Sequence, residues 1–148
     1  MKWSRHDALR RLCDGIGDDL RILDRGVAWP ARGELNLGAE RIPVDVYLGV
    51  LGRSHRGRER AERRMQNPSR DLPVAHSPGH LPILLGLAIG ESAGDDLLVA
   101  WDPTTRFGKR TRVSYFVSVG LLEEAARVGY AARQNSAGET LIAFRPAE

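Results

Sequence analysis

The sequence predicts an α+β fold: an N-terminal helix, a small mixed or antiparallel sheet, one C-terminal helix and a closing hairpin. Three observations predict it. Apolar residues recur at helical spacing near the start of the chain and again near its end. Between those stretches they alternate or form short apolar runs. The resulting order of helix, strands, strands, helix and hairpin is not the regular strand–helix alternation of an α/β protein. The 148 residues, 42% hydrophobic and 28% charged, read as one folded domain spanning 1–148.

The first helix opens at Ser4, with Asp7 three residues on in the pattern of a capping box. Leu9, Leu12, Cys13, Ile16, Leu20 and Leu23 follow at helical spacing and are expected to line one face. Gly15 and Gly17 weaken the helix, each by about 1 kcal/mol relative to Ala, so a break near them is expected. Gly26 and Pro30 end the helical region. From Glu34 to Leu51 the pattern changes to alternation: Ile42, Val44, Val46 and Leu48 share one face, Pro43, Asp45 and Tyr47 the other. Leu35 and Leu37 before Gly38-Ala39 complete a hairpin, and Pro43 suggests that its second strand lies at a sheet edge.

Residues 52–70 have almost no apolar character, and a short exposed helix over 58–66, ended by Asn67-Pro68, is the expectation there. Residues 71–81 read as an irregular loop. Pro82–Ile89 and Leu97–Trp101 read as neighbouring strands, with the basic stretch 102–112 as a loop after them and Val113–Val117 as a further strand. Ser118 then caps a helix reaching about Val128, with Leu121, Leu122, Ala125 and Val128 on its apolar face and Gly129 as its stop. Tyr130–Arg133 and Thr140–Phe144 pair as the closing hairpin.

The charge is unevenly placed. Residues 51–72 carry Arg53, Arg56, Arg58, Arg60, Arg63, Arg64 and Arg70 against three acids, a net +4; residues 101–114 carry Arg106, Lys109, Arg110 and Arg112 against Asp102, a net +3. The remaining stretches sum to −4, which leaves the formal total of +3. Lys2 and Lys109 are the only lysines, so the excess is arginine, whose planar fork suits phosphate and carboxylate. Arginine-favouring codon usage would give the same total, so the placement carries the argument. Blocks of this kind are the footprint of a polyanion-binding surface.

In the first block, His55, Arg56, Arg58, Arg60, Arg63 and Arg64 present cations on a short element. If it is helical, Arg56, Arg60, Arg63 and Arg64 share a face, with Glu59 and Glu62 beside them. The same row also fits a solvated, salt-bridged surface helix. Gln66 and Asn67 follow with amides able to reach adenine edges, although an Asn before Pro68 also ends a helix for backbone reasons. In the second block, Arg106, Lys109, Arg110 and Arg112 can hold phosphate, Gly108 permits close backbone approach, and Phe107 either stacks on a base or anchors the loop in the core. Trp101 reads as core or pocket wall.

Several catalytic patterns fail at named positions. His76 and His80 are four apart, but Pro78 and Gly79 between them break the helical face that such metal-ligand spacing uses. Gly52-Arg53-Ser54-His55-Arg56 puts Arg56 where a nucleophile elbow needs glycine. Gly108-Lys109 lacks the earlier glycine and the following hydroxyl of a phosphate-binding loop, having Pro103 and Arg110 instead. Asp45, Asp95, Asp96 and Asp102 could supply carboxylates to a metal-dependent nuclease with Lys109, but no acid stands two residues before either lysine. No cofactor and no metal are therefore expected, and the reading leans away from an enzyme. One cysteine, Cys13, excludes an internal disulfide, and no leader or eighteen-residue apolar run stands out, so a cytoplasmic protein with no membrane partner is expected.

His55-Arg56 leading to Arg64, Gln66-Asn67-Pro68, then Trp101-Asp102 leading to Arg106, Gly108, Thr111-Arg112 and Ser114, resembles a DNA-reading domain of bacterial restriction-type defence proteins. The similar stretch runs from about Glu34 to Phe144. The resemblance implies a DNA-reading module that serves a restriction or modification-dependent nuclease, with these basic and polar residues contacting DNA. Together with the failed catalytic patterns, it leads to the expectation of a non-catalytic domain on double-stranded DNA with a nuclease or methyltransferase partner. The alternatives are a metal-dependent nuclease of restriction-endonuclease type and a regulatory domain whose arginines meet an acidic protein.

Overall fold

In the computed structural model the described residues are 4–24, 30–53, 62–66, 79–90, 95–101, 114–134 and 139–146. Helix α1 (Arg5–Ile16) leads through a 3-10 turn at Gly17–Asp19 into β1 (Leu20–Asp24), β2 (Ala31–Leu37) and β3 (Glu40–Val50). Two short strands, β4 (Gly52–Arg53) and β5 (Glu62–Gln66), precede β6 (Leu81–Ala88) and β7 (Leu97–Trp101). After them come β8 (Ser114–Ser118), α2 (Val119–Val128), β9 (Tyr130–Gln134) and β10 (Thr140–Phe144). Among the described residues the fold is thus α+β, with helices near both ends as expected.

Seven strands form one sheet in the order β1-β2-β3-β6-β7-β10-β9, and β4-β5-β8 form a second. The large sheet is mixed: β3 and β6 are parallel, and the other pairs are antiparallel. Side chains of successive strand residues point to opposite faces, and both faces of this sheet are covered. Val44, Val46 and Leu48 of β3 join Leu85, Leu87 and Leu98 against Leu9 and Leu12 of α1. Tyr47, Leu84, Val99, Trp101, Leu141 and Ala143 pack on the other face with Leu121, Leu122 and Ala125 of α2.

Local chemistry explains the helix ends. The Asp7 N–H donates to Ser4 Oγ at 3.0 Å, and the Leu121 N–H to Ser118 Oγ at 3.2 Å, satisfying one of the free donors at each N-terminus. Gly129 closes α2 in the left-handed region, its N–H on the carbonyl of Ala125. Leu121, Leu122 and Ala125 are buried as the spacing predicts, whereas Val128 is exposed.

Three further expectations need correction. Leu20 and Leu23 are not on the first helix: Gly17, at φ 69°, turns the chain out of it, and Leu20 is buried instead as the first residue of β1 while Leu23 is exposed. The strand holding Pro43 is not an edge, because β3 lies between β2 and β6. Pro43 is tolerated because pairing with β6 begins one residue later, at Val44↔Leu81. Residues 62–66 form a strand, not part of a helix; pairing with β4 and β8 decides their state, in a stretch that offers a helix no apolar face to bury. The strand expected at Val113–Val117 is present as Ser114–Ser118, paired with β5 in the second sheet.

Candidate functional site

The second sheet is assembled from two connections of the first. β4 and β5 lie within the β3-to-β6 connection, and β8 lies within the connection that leaves β7. The first basic block, 51–72, belongs to one connection and the second, 101–114, to the other. The chain therefore routes its whole positive excess through the segments that build or border the small sheet.

Of the residues expected to contact a polyanion, His55, Arg56, Arg58, Arg60, Asn67, Arg106, Phe107, Lys109, Arg110 and Arg112 lie outside the described residues. Arg63, Arg64 and Gln66 lie on β5, the middle strand of the small sheet. Arg63 holds the register position between Arg53 and Val117, and Arg64 that between Gly52 and Phe116. The helical face expected to gather Arg63 and Arg64 with Arg56 and Arg60 is not formed at 63 and 64, which belong to a strand. Gln66 is opposite Ser114, which places the backbone of the first block, at the end of β5, beside the end of the second. At the other end of β5, Glu62 is opposite Ser118, the residue that caps α2. The two ends are about 13 Å apart at roughly 3.3 Å per residue.

The start of α2 is tied to the far edge of the large sheet. Arg133 of β9 donates to Ser118 Oγ at 3.3 Å and lies 3.5 Å from Glu124. Trp101, with which the second block begins, is 4% exposed and belongs to the core. Its ring lies over Gly86, where an added Cβ would stand 2.7 Å from it.

Of the aspartates considered for a nuclease, Asp45 and Asp96 are buried in separate pairs. Asp96 is 1% exposed and accepts from Arg11 Nε at 2.6 Å, Arg11 Nη2 at 2.9 Å and the Gly90 N–H at 2.7 Å. Arg11 Nη2 also donates to the Gly90 carbonyl at 3.0 Å. The hydrogen bonds to Asp96 raise the Arg11 pKa further above its already high value, against partial desolvation. Asp45 is fully buried, on the face of β3 opposite Val44 and Val46, and His80 Nδ1 lies 3.0 Å from its Oδ1. Asp95 is exposed, and Asp102 lies outside the described residues. Among the described residues, no three His, Cys, Asp or Glu side chains gather as metal ligands would.

Sequence reasoning missed both buried carboxylate pairs. Asp45 carried a signal, since a charged residue within an alternating apolar strand needs a partner. The partners themselves carried none: Arg11 is one arginine of several on its helix, and His80 follows a Pro–Gly turn as an ordinary loop histidine would. Among the described residues, no helix is long and apolar enough to cross a membrane.

Residues 42–148 match the protein family described as Methylase-associated X1. No curated protein and no solved structure matches the chain.

Proposed function

The chain belongs to the Methylase-associated X1 family, and from that premise we propose that it is a non-catalytic DNA-binding domain of a bacterial restriction–modification system, acting in the cytoplasm beside a methyltransferase. Arg56, Arg58, Arg60, Arg63 and Arg64, with His55, grip backbone phosphates from one connection. Arg106, Lys109, Arg110 and Arg112 do so from the other. Gln66, Asn67 and Phe107 are the groups available for base edges and stacking.

The observation that carries the reading is the convergence of the two basic blocks on one small sheet, where Gln66 and Ser114 are register partners. One strand of that sheet belongs to the stretch of net +4 and its neighbour begins where the stretch of net +3 ends, and like charge gathered at one sheet is costly without a counter-charge. A polyanion between or across the two stretches removes that cost. The family description adds the context, since a methylase acts on a substrate that an associated domain could help to hold. A nuclease reading has less support. Asp45 and Asp96 are both buried in separate pairs, the first on the α2 face of the sheet and the second with α1.

Titration of binding to a duplex DNA against salt tests the proposal. Affinity is expected to fall steeply, with a slope of about −0.9 for each phosphate neutralised. Replacing Arg56, Arg60, Arg63 and Arg64 together by glutamine is expected to flatten that slope by several units. An affinity indifferent to salt would overturn the phosphate-grip reading and favour an acidic protein partner. Cleavage of the duplex with Mg²⁺, lost in Asp102→Ala, would overturn the non-catalytic assignment.

A further inference from the structure

Asp45 is the one strand residue of the central β3 segment 44–48 that is not apolar, and it is fully buried there beside Val44, Val46 and Tyr47. Withdrawing a carboxylate from water is costly unless partners compensate it. His80 is one such partner, at 3.0 Å, and Asp45 has further interactions besides. A carboxylate can only accept, so the His80 nitrogen facing it, Nδ1, carries the proton. Bonding at Nδ1 fixes the ring and turns Nε2 to the opposite side. His80 remains 26% exposed, so this second nitrogen belongs to a side chain that water reaches.

Across β3 from His80, Arg32 of β2 is the register partner of Asp45. Directly opposed strand residues share a face with Cβ atoms about 5 Å apart. Arg32 is exposed, and among the described residues it makes no ion pair. Arg32 thus holds the register position between two acids, Asp24 of β1 and Asp45 of β3, and Asp45 has the fixed imidazole on its other side. His80 is also the residue by which the chain returns from the first basic block into β6.

We propose that His80 and Arg32, organised around buried Asp45, form a subsite for one backbone phosphate of the bound nucleic acid. This rests on the DNA-binding reading above and extends the contact surface to the β2–β3 face. In the bound state the ring takes up a second proton from solvent, so that Nδ1–H donates to Asp45 and Nε2–H to a phosphate oxygen, while Arg32 donates to a second oxygen of the same phosphate. Asp45 is a positioning residue: it holds the ring and does not touch the ligand.

The test uses the full chain and a 20-base-pair duplex, with thermal melts confirming that each variant is folded. His80→Ala and Arg32→Ala are each expected to weaken binding about 5- to 10-fold at low salt, and to reduce the steepness of the salt dependence by about 0.9, the share of one phosphate. His80→Gln, whose amide nitrogen can stand near the Nε2 position, is expected to recover most of the affinity. Asp45→Asn is expected to weaken binding while leaving Arg32 in place. If wild type binds with a steep salt dependence and His80→Ala and Arg32→Ala do not alter it, the subsite is overturned and the arginine segments alone carry binding. If the wild-type chain shows no salt-dependent binding, the DNA reading falls and the subsite with it.

Discussion

On one side of the large sheet Asp96 is held by two nitrogens of Arg11 and by the backbone N–H of Gly90; on the other side Asp45 is held by a histidine that is itself a quarter exposed. Both carboxylates are buried to nearly the same degree, at 1% and 0% exposure. The difference lies in the partner. Arg11 applies two of its donors to Asp96 and reaches Gly90 with one of them, so the group locks α1 to the β6–β7 connection. An imidazole can offer only one nitrogen to Asp45, and the other, on the far side of the ring, is left for a different partner. A buried charge closed by a bidentate partner is thus suited to fastening, whereas one closed by a two-ended partner can fasten and still present a polar atom.

The comparison can be broken most severely by removing the fastened side altogether. The family match begins at residue 42, yet α1, β1 and β2 lie before it and supply Leu9, Leu12, Leu20 and Ala31 to the core. Deleting residues 1–41 uncovers Val44, Val46, Leu48, Leu85, Leu87 and Leu98 and leaves Asp96 without its cation. The expected result is loss of a cooperative thermal transition by circular dichroism; a sharp melt of the 42–148 fragment would show that α1 is dispensable.

A gentler break separates fastening from presentation. Arg11→Ala leaves Asp96 buried and unpaired with its guanidinium and is expected to lower the melting temperature by roughly 10 °C, with DNA affinity at a temperature where the variant is folded unchanged. Asp45→Asn keeps an acceptor for His80 and is expected to cost only about 1 kcal/mol, yet to weaken DNA binding. Denaturant melts and binding titrations on the two variants check this inverse pattern, and equal effects on both readouts would erase the distinction.

A more local effect concerns how the α2 side is packed. Its core includes Trp101, whose ring occupies the space that a side chain at position 86 would take. Gly86→Ala is expected to destabilise by about 1–3 kcal/mol through overpacking against the ring, with the loss visible in urea unfolding and in altered tryptophan fluorescence. A neutral Gly86→Ala would mean that the α2 face yields more easily than its close contacts suggest.

The elements legible in the sequence are those whose signals are local. Ser4 and Ser118 each receive a backbone N–H three residues on, Gly129 stops α2, and Gly38-Ala39 turns β2 into β3. The apolar runs of β6 and β7 and the closing β9–β10 hairpin are strands as their patterns imply. Leu20 misled because a residue four beyond Ile16 fits a helix's spacing as well as a strand's start. β5 was not legible because Glu62–Gln66 has one apolar residue, Met65, and no alternation. Its strand state comes from neighbours on both sides, β4 and β8, the second of which is some fifty residues away in the chain.

By itself the sequence determined the α+β class, the capped helices, and the segregation of positive charge into two blocks, because caps, periodicity and charge are written in neighbouring residues. Only the tertiary structure decided that both blocks belong to the connections of one small sheet, that β3 is interior, and that Asp96 and Asp45 have Arg11 and His80 as partners. Those pairs span 85 and 35 residues. Contacts at such separation are selected by the packing of the whole sheet, which fixes register and face together, and no local pattern of residues encodes them.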